Sequence, residues 1–256
     1  MTADGEAPPF RFSVIVPAHN EARLLPRGLA AIQAAASPVD GRVETVVVAN
    51  RCTDGTARIA ADAGAVVVED EVRNLAAVRN AGAEVATGNV FVTIDADSQM
   101  SPRALREVES LLGTGRVVGG GTAVVPERSS VGIRATLAVM EATTWLARIS
   151  GAMFWCRAED FRTIGGFNEA LTLAEDLDFA RRLRALGIAT GRRFVKLRSA
   201  PVTICTRKFD RLGDWHMFKM ALQLRQIRAA FTGADSAWAD RYFYDYADTP
   251  PPDEVT

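Results

Sequence analysis

The chain has 256 residues, of which 48% are hydrophobic, and its formal net charge at pH 7 is −1. Its mean hydropathy of +0.04 is that of an ordinary soluble globule. The length is sufficient for one large α/β domain with a full core, and the near-neutral charge excludes a general nucleic-acid binder.

In the first half of the sequence, strand and helix patterns alternate. After polar residues 1–9, which we expect to be disordered, the predicted elements follow in chain order. They are a strand at 12–16 stopped by Pro17, a helix from 18–21 to 36 with Asn20 as its N-cap, a valine-rich strand at 42–49, a helix that ends at 63, a short strand at 65–69, a helix at 74–86 and a strand at 90–94.

This alternation is typical of a doubly wound, mainly parallel sheet flanked by helices. In such sheets, ligands bind beyond the carboxyl ends of the strands. Three polar loops, at residues 17–21, 50–56 and 95–98, should meet at that edge.

The second half is less regular, which favours a mixed sheet with a helical C-terminal extension. The predicted elements are a helix at 102–112, a glycine-interrupted strand at 117–125, a helix at 131–149, a strand at 152–157, a turn at 165–169, a helix at 175–186, edge strands at 193–197 and 202–205, and a helix at 210–231. We find no repeat and no low-complexity linker, so we expect one domain over residues 10–231 and a tail at 232–256.

Asp95 and Asp97 follow the apolar strand at 90–94, and a side-chain period of two would place both carboxylates on one side of an extended backbone. Such a pair is costly to bury unless a cation lies between the two, commonly Mg²⁺ or Mn²⁺ with a phosphorylated ligand. Alternatively, Ser98 or Ser101 caps a helix that opens near residue 102. The stretch alone leaves both interpretations open.

Cysteine usage and hydropathy bear on the compartment. Three scattered cysteines indicate a reducing cytoplasm rather than a disulfide framework. The sequence has neither an apolar run of about 18 residues nor a signal peptide. We therefore expect a cytoplasmic protein that does not span a membrane.

Several motifs, in order along the chain, resemble those of family 2 glycosyltransferases, which have the A-type (GT-A) fold. They are VPAHNE at 16–21, CTDGT at 52–56, RNxG at 79–82, DAD at 95–97, and GGFNE at 165–169 followed by EDLDFARRL at 175–183. The resemblance covers roughly residues 10–210, and five ordered motifs are far more specific than one. It implies transfer of a sugar from a nucleotide diphosphate donor, usually with inversion at the anomeric carbon.

The resemblance also implies a donor site. Asp97 would be the direct metal ligand, and Asp95 would reach the ribose or, through water, the metal. Ala96, between them, is counted with both among the donor-binding residues. Arg79 would contact phosphate, although without the family it would be taken for a surface helix residue. The implied nucleotide-binding entry loop consists of Pro17, His19, Asn20 and Glu21, which also fit an N-cap with an acidic first turn.

The second loop departs from the family pattern, because Ala49 and Asn50 occupy the places of a pair of aspartates. The side-chain oxygen of Asn50 can still accept a hydrogen bond from the imide N–H of uracil. We therefore favour a UDP-sugar, with GDP- and TDP-sugars left open. Asp54 is a further donor-site candidate and is expected to close the turn before Thr56.

An inverting transfer needs a carboxylate that takes the proton of the acceptor hydroxyl. By resemblance Asp176 is this base, and Glu175 supports it or contacts the acceptor. Neighbouring carboxylates raise one another's pKa, whereas a metal or a helix N-terminus lowers it, so the direction stays open. The alternative is an acidic first helical turn followed by Arg181, Arg182 and Arg184.

Charge is unevenly distributed near the end of the chain. Residues 181–228 contain 13 lysines and arginines against Asp210 and Asp214, a balance of +11, whereas residues 235–256 contain six acidic residues against Arg241, a balance of −5. This pattern predicts an anion site and a tail that folds over it.

Within the basic block, Arg207 and Lys208 follow a predicted strand and are candidates to clamp the diphosphate. His216 is a candidate third metal ligand, although a lone histidine on a helix is more often structural. Residues 215–222 are amphipathic and basic, so they could rest on the inner face of a membrane, although core packing is the simpler account.

Two other classes are considered. A nucleotidyltransferase acting on a sugar phosphate should carry a Gly-rich phosphate loop after the first strand, where this chain has PAHNE. A non-catalytic nucleotide-sugar-binding module would be expected to lose a metal or base carboxylate, and none is missing. The acceptor itself is not predicted.

The predicted tail is dense in aromatic residues, which are Trp238, Tyr242, Phe243, Tyr244 and Tyr246. Aromatic side chains at this density are expected to be buried. We therefore expect the tail to dock on the same chain or on a second copy in a homodimer.

Overall fold

The structure is a computed structural model that describes residues 9–147, 149, 152–172 and 174–221. The strands are β1 (Phe12–Ala18), β2 (Val43–Asn50), β3 (Val66–Asp70), β4 (Val90–Thr93), β5 (Val117–Pro126), β6 (Phe154–Arg157) and β7 (Arg193–Ile204). The helices are α1 (Leu25–Ala36), α2 (Thr56–Asp62), α3 (Leu75–Val85), α4 (Ala104–Gly113), α5 (Val131–Leu146), α6 (Ala158–Thr163), α7 (Glu175–Ala189), α8 (Arg207–Leu212) and α9 (His216–Ala221).

The seven strands form one mixed sheet in the order β3-β2-β1-β4-β6-β5-β7. Only β6 runs against its neighbours, so the other six strands end at the same edge. The prediction of an α/β domain with a mainly parallel, mixed sheet flanked by helices is confirmed.

The core lies on both faces of this sheet. In β1, whose seven residues are all buried, Val14 and Val16 belong to the apolar cluster on one face and Ile15 to the cluster on the other. This alternation follows from the two-residue period of a strand. Residues of α1 and α4 complete the first cluster, and residues of α3, α6 and α7 complete the second.

Helix α3 lies directly on the sheet because its Gly82 has no side chain. A Cβ at this position would come within 2.6 Å of Ile15 Cγ2 and 2.9 Å of Val48 Cγ2. This close contact with β1 and β2 carries Arg79, on the same helix, to the edge where β4 ends.

The first helix begins later than predicted. It begins at Leu25 without a side-chain cap, and Pro26 occupies its first turn, where a proline is tolerated. Asn20 is therefore not its N-cap. Asn20 has a left-handed φ of 50°, and its side-chain oxygen accepts a hydrogen bond from Thr53 N at 2.8 Å.

Two predictions in the basic block are wrong. The two predicted edge strands form the single strand β7, whose pairing with β5 shifts register between Thr122 and Val124. The predicted helix at 210–231 is interrupted in its described part, because Gly213 adopts a φ of +85° between α8 and α9.

The predictions for residues 1–8 and 222–256, including the aromatic tail, lie outside the described residues. Among the helices that the structure describes, none has the length and apolarity to cross a membrane.

At the amino edge of the sheet, the Glu44 carboxylate ties β2 to the turn before β4. It accepts hydrogen bonds from the Ser13 hydroxyl, from the amide and hydroxyl of Thr87, and from the amide of Gly88. Burial raises the pKa of Glu44, but these hydrogen bonds outweigh burial, and the net effect is a pKa below the ordinary value.

We expect Glu44→Gln to lower the free energy of unfolding by about 1–3 kcal/mol at pH 7, because several donors lose a charged acceptor. Since the folded-state pKa is lowered, this contribution is present above the unfolded-state pKa of about 4.3 and is lost as the pH falls through the folded-state value. Urea unfolding of both proteins between pH 7 and pH 3 measures the difference. A difference that stays constant over this range would contradict the assignment.

Candidate functional site

The segments that follow β1, β2, β4 and β7 meet at the carboxyl edge of the sheet. Arg207, after β7, forms ion pairs with Glu21 after β1 and with Asp97 after β4. The amide of Glu21 donates to Thr56 Oγ1, in the segment after β2, at 2.8 Å. The convergence expected for three polar loops therefore includes a fourth segment.

The loops after β1 and β2 are joined by hydrogen bonds. Asp54 accepts from the amides of Ala22 (3.0 Å) and Thr56 (2.9 Å), and His19 Nδ1 lies 2.8 Å from the carbonyl oxygen of Asn50. Burial raises the pKa of Asp54, but its hydrogen bonds outweigh burial and lower the pKa. Asp54 thus closes the turn before Thr56, whereas its contact with a donor stays a prediction.

The side chain of Asn50 is buried at the end of β2. Its Nδ2 donates to the carbonyl oxygens of Asp70 (3.2 Å) and Val72 (2.9 Å), which fixes the segment after β3. Pro17 lies within β1, opposite Val48 of β2, so the strand does not stop at the proline. The roles of Pro17 and Asn50 in base recognition stay predictions.

Asp95 and Asp97 lie in a turn and not on an extended backbone. Strand β4 ends at Thr93, and the amide of Ser98 donates to Asp95 O at 3.0 Å. The predicted extended geometry is therefore wrong. The two carboxylates are nevertheless close enough for Asp95 to affect the pKa of Asp97.

The alternative interpretation of this stretch, a capped helix start, is also wrong. Helix α4 begins at Ala104 after Arg103, and no side chain caps it. Neither serine occupies its N-cap position, although Ser101 Oγ accepts a long hydrogen bond of 3.4 Å from the amide of Arg103 in the turn before the helix.

Asp97 lies between a second carboxylate and two cations. Burial and then the charge of Asp95 raise the pKa of Asp97, whereas Arg207 and Lys208 oppose the rise. Burial also lowers the pKa of Lys208, against the effect of the two aspartates. Asp97 Oδ2 is 3.4 Å from Arg207 Nη2, a long contact.

Arg207 is held mainly by Glu21. Its two terminal nitrogens contact the two oxygens of the buried Glu21 carboxylate, with Nη1 at 3.0 Å from Oε2. Such a fork-to-fork arrangement fixes the direction of the guanidinium. The pKa of Glu21 is raised above its ordinary value, because burial outweighs the opposing effect of Arg207.

A second arginine links the strand-end turn to Glu175, the residue before the candidate base Asp176. Arg79 Nη2 donates to Asp95 Oδ1 at 3.0 Å, and Nη1 donates to Glu175 Oε1 at 2.6 Å. The Arg79 side chain is only 7% exposed, so its interpretation as a surface helix residue is wrong. Its guanidinium is engaged by carboxylates, and a contact with phosphate stays a prediction.

Glu175 and Asp176 open helix α7 but have different surroundings. Glu175 is buried, which raises its pKa, and the charge of Arg79 opposes this rise. Asp176 is partly exposed, and its Oδ1 accepts from the amide of Leu177 at 2.7 Å. Ala174, just before them, has a left-handed φ of 58°, an uncommon conformation that positions the start of the helix.

Phe167 belongs to the site although its role was not predicted from the sequence. Its buried ring stacks on Phe179 at 4.3 Å between centroids, and the Arg79 guanidinium lies 5.2 Å from its centroid. Asn80 holds this turn, since its side chain donates to Phe167 O and accepts from Phe167 N, both at 2.9 Å. The sequence signal for this contact was the presence of both motifs, because RNxG supplies Arg79 and Asn80 and GGFNE supplies Phe167.

In the part of the chain that the structure describes, no group of three or more His, Cys, Asp or Glu side chains is arranged to hold a metal ion. His216 thus does not complete a three-ligand set with Asp95 and Asp97. Its Nδ1 lies 2.9 Å from Gly213 O, and its ring meets that of Phe209 edge-on at 4.9 Å between centroids. A metal role for His216 stays a prediction.

The residues at the turn nevertheless fit a divalent ion. Mg²⁺ is commonly bound by one or two carboxylates together with phosphate oxygens and water, so a third protein ligand is not required. Asp95 and Asp97 supply hard oxygen donors, and neither is fully buried. Because burial and the charge of Asp95 both disfavour ionised Asp97, a cation between the two would relieve the repulsion.

Comparisons of the sequence with known proteins give matches to a family and to a relative. Residues 13–164, more than half of the chain, match the pattern described as Glycosyl transferase family 2. Glycosyltransferase AglE of Haloferax volcanii is 34% identical over 116 residues, which are 43% of this chain and 38% of that protein.

Two solved structures have a similar fold. The mannosyltransferase PcManGT from Pyrobaculum calidifontis, in complex with GDP-Man and Mn²⁺, matches with a TM-score of 0.57 and 26% identity, over 74% of this chain and 55% of that one. TarS of S. aureus, in complex with UDP-GlcNAc, matches with a TM-score of 0.54 and 18% identity, over 68% of this chain and 53% of that one. The chain therefore spans less than two thirds of the length of each of these relatives.

Proposed function

The chain belongs to glycosyl transferase family 2, and on this basis we propose that it transfers a sugar from a nucleoside diphosphate donor to an acceptor hydroxyl. The transfer would depend on Mn²⁺ or Mg²⁺ and would invert the anomeric carbon. The observation that carries the proposal is the meeting of the Asp95–Asp97 turn, the Arg207–Lys208 pair and the Glu175–Asp176 pair at one edge.

The diphosphate is assigned to Arg207 and Lys208. Arg207 keeps its direction through its ion pair with Glu21, so Glu21 would orient the cation and would not itself contact the donor. Lys208 interacts electrostatically with Asp97 and Asp95. Two cations beside an acidic turn provide a place for a phosphate chain together with its metal.

Asp97, with Asp95 beside it, would hold the metal. When bound, the metal supplies a Lewis acid that neutralises charge developing on the leaving diphosphate. The long contact between Asp97 and Arg207 is weak, so Asp97 can exchange this partner for the ion.

The nucleoside is assigned to the joined loops after β1 and β2. Because Asn50 uses its amide nitrogen to hold the segment after β3, its side-chain oxygen is the atom proposed to accept from the base. His19 and Asn20 would complete this pocket. A relative in complex with GDP-Man and a fold neighbour in complex with UDP-GlcNAc keep the choice between uridine and guanosine open.

Asp176 is the proposed general base. Glu175 takes the short hydrogen bond from Arg79, which ties its carboxylate to the donor side. Asp176 is less buried and receives only a local amide hydrogen bond from Leu177 among those that the structure records for it, so its carboxylate can reach an acceptor hydroxyl. The acceptor, a homodimer and a contact with the inner face of a membrane stay predictions.

Slow hydrolysis of the donor tests the proposal without knowledge of the acceptor. We expect the full chain with Mn²⁺ to release a nucleoside diphosphate from at least one UDP-, GDP- or TDP-sugar, detected by coupled phosphate assay or chromatography. The Asp97→Asn variant is the control and should release none above background. A nucleotidyltransferase would instead release pyrophosphate from a nucleoside triphosphate and sugar phosphate, and a binding module would bind the donor without turnover.

A further inference from the structure

The second half of helix α5 carries apolar side chains that little of the described chain covers. Its first half is anchored by buried Gly132, Ile133 and Thr136. We call Val139, Met140, Trp145 and Leu146 the α5 surface, and the last two are 71% and 78% exposed. Exposed apolar side chains in such number are typical of an interaction site.

A cavity of about 220 Å³ adjoins the α5 surface, between the helix and strand β7 at the edge of the sheet. It is lined by Glu141, Trp145, Ile149, Phe194, Lys196 and Arg198. Lys196 and Arg198 both pair with Glu141, which leaves an excess of one positive charge. The site therefore offers apolar walls with a basic rim.

The described chain passes the start of α5 shortly before its last described residue. A Cβ on Gly132 would come within 2.8 Å of Asp214 O, which places the segment before α9 against the start of α5. The last described residue, Ala221, belongs to α9, and residues 222–256 follow it in the sequence. Even as a helix, the 17 residues from Ala221 to Trp238 would reach about 25 Å, which is about the length of the 16-residue α5.

The segment that follows α9 in the sequence has a composition that complements the α5 surface and the basic rim of the cavity. It contains five aromatic residues between 238 and 246, and residues 235–256 have a charge balance of −5. Apolar rings complement the α5 surface, and carboxylates complement the excess charge at the cavity rim. Covalent attachment to α9 gives the segment an effective concentration of the order of mM without any partner.

We propose that residues 234–248 bind the α5 surface of their own chain, with aromatic side chains on Trp145 and Leu146 and in the adjoining cavity. A second copy or a lipid surface could contact the same exposed side chains, and these occupants are outcomes of the test. The proposal does not depend on the glycosyl transfer reaction.

The direct test is photocrosslinking of the full chain with p-benzoylphenylalanine in place of Ala142. Ala142 is exposed and lies one helical turn before Trp145 and Leu146, so the surface itself is kept. Irradiation of an equal mixture of ¹⁵N-labelled and unlabelled protein, followed by mass spectrometry, should give cross-links to residues 234–248 within one chain. The crosslinker in place of the exposed Arg103, directly before α4, is the matched control and should give none to that segment.

A second readout uses amide hydrogen exchange. In the full chain, Trp238→Ser combined with Phe243→Ser should increase exchange of the amides of residues 138–147 at least tenfold and leave those of β1 unchanged. Cross-links that join labelled to unlabelled chains would assign the surface to a second copy. Cross-links only to added phospholipid vesicles, or unchanged exchange in the variant, would also overturn the proposal.

Discussion

Asp176→Asn is expected to lower kcat by about 10²–10⁴-fold while donor affinity changes little, because the amide cannot take the proton of the attacking hydroxyl. The rate is measured as donor turnover, with an acceptor or with water, and affinity by calorimetry. Asp178→Asn is the matched control, since Asp178 lies in the same helical turn and pairs with Arg182. The control should retain turnover within a few-fold of the parent chain, and near-normal turnover of Asp176→Asn would assign the base elsewhere.

Arg79→Met is expected to lower the free energy of unfolding by about 3–5 kcal/mol, because it leaves the buried Glu175 carboxylate without its cation. Asp95, which is more exposed, should contribute little to this loss. Denaturant unfolding of the full chain measures the change, and Arg103→Met, at an exposed pair, is the matched control with an expected change within about 0.5 kcal/mol.

A double variant separates charge from packing at this position. In Arg79→Met combined with Glu175→Leu no buried carboxylate is left unpaired, so part of the lost stability should return. If Arg79→Met alone behaves like Arg103→Met, the link between the turn and α7 does not stabilise the chain.

Much of the fold could be predicted from local patterns. The valine-rich strands, the glycines and the regular alternation of elements specify a parallel sheet, and the carboxyl edge of such a sheet is where its loops meet. The polar loops could therefore be placed together without any contact being known. The antiparallel β6 and the joining of β7 into one strand depend on sheet pairing, which short patterns do not encode.

The partners of the site residues could not be predicted in the same way. Arg79 and Glu175 are 96 positions apart, and Glu21 and Arg207 are 186 positions apart. Only the folded sheet brings each pair together, so motif spacing indicated the residues but not their contacts. Asn20 shows the opposite error, since a good N-cap residue instead accepts from Thr53 in a neighbouring loop.

Gly213 illustrates a further limit. Its surroundings in sequence continue an amphipathic helical pattern, and one glycine within such a pattern costs only about 1 kcal/mol relative to alanine. Its φ of +85°, a conformation that glycine adopts without steric cost, ends α8 there. The pattern therefore predicted helical residues on both sides of Gly213 correctly, but it wrongly predicted one continuous helix.

The metal and diphosphate site is the central claim, and isothermal titration of UDP into the full chain tests it most directly. With Mn²⁺ present, we expect binding at least tenfold tighter than with EDTA, and Asp97→Asn should abolish this difference while its thermal unfolding stays close to that of the parent chain. GDP and TDP are titrated in the same way, so that the metal requirement is judged on whichever nucleotide binds. Equal affinity of the bound nucleotide with Mn²⁺ and with EDTA would contradict a metal site at Asp95 and Asp97.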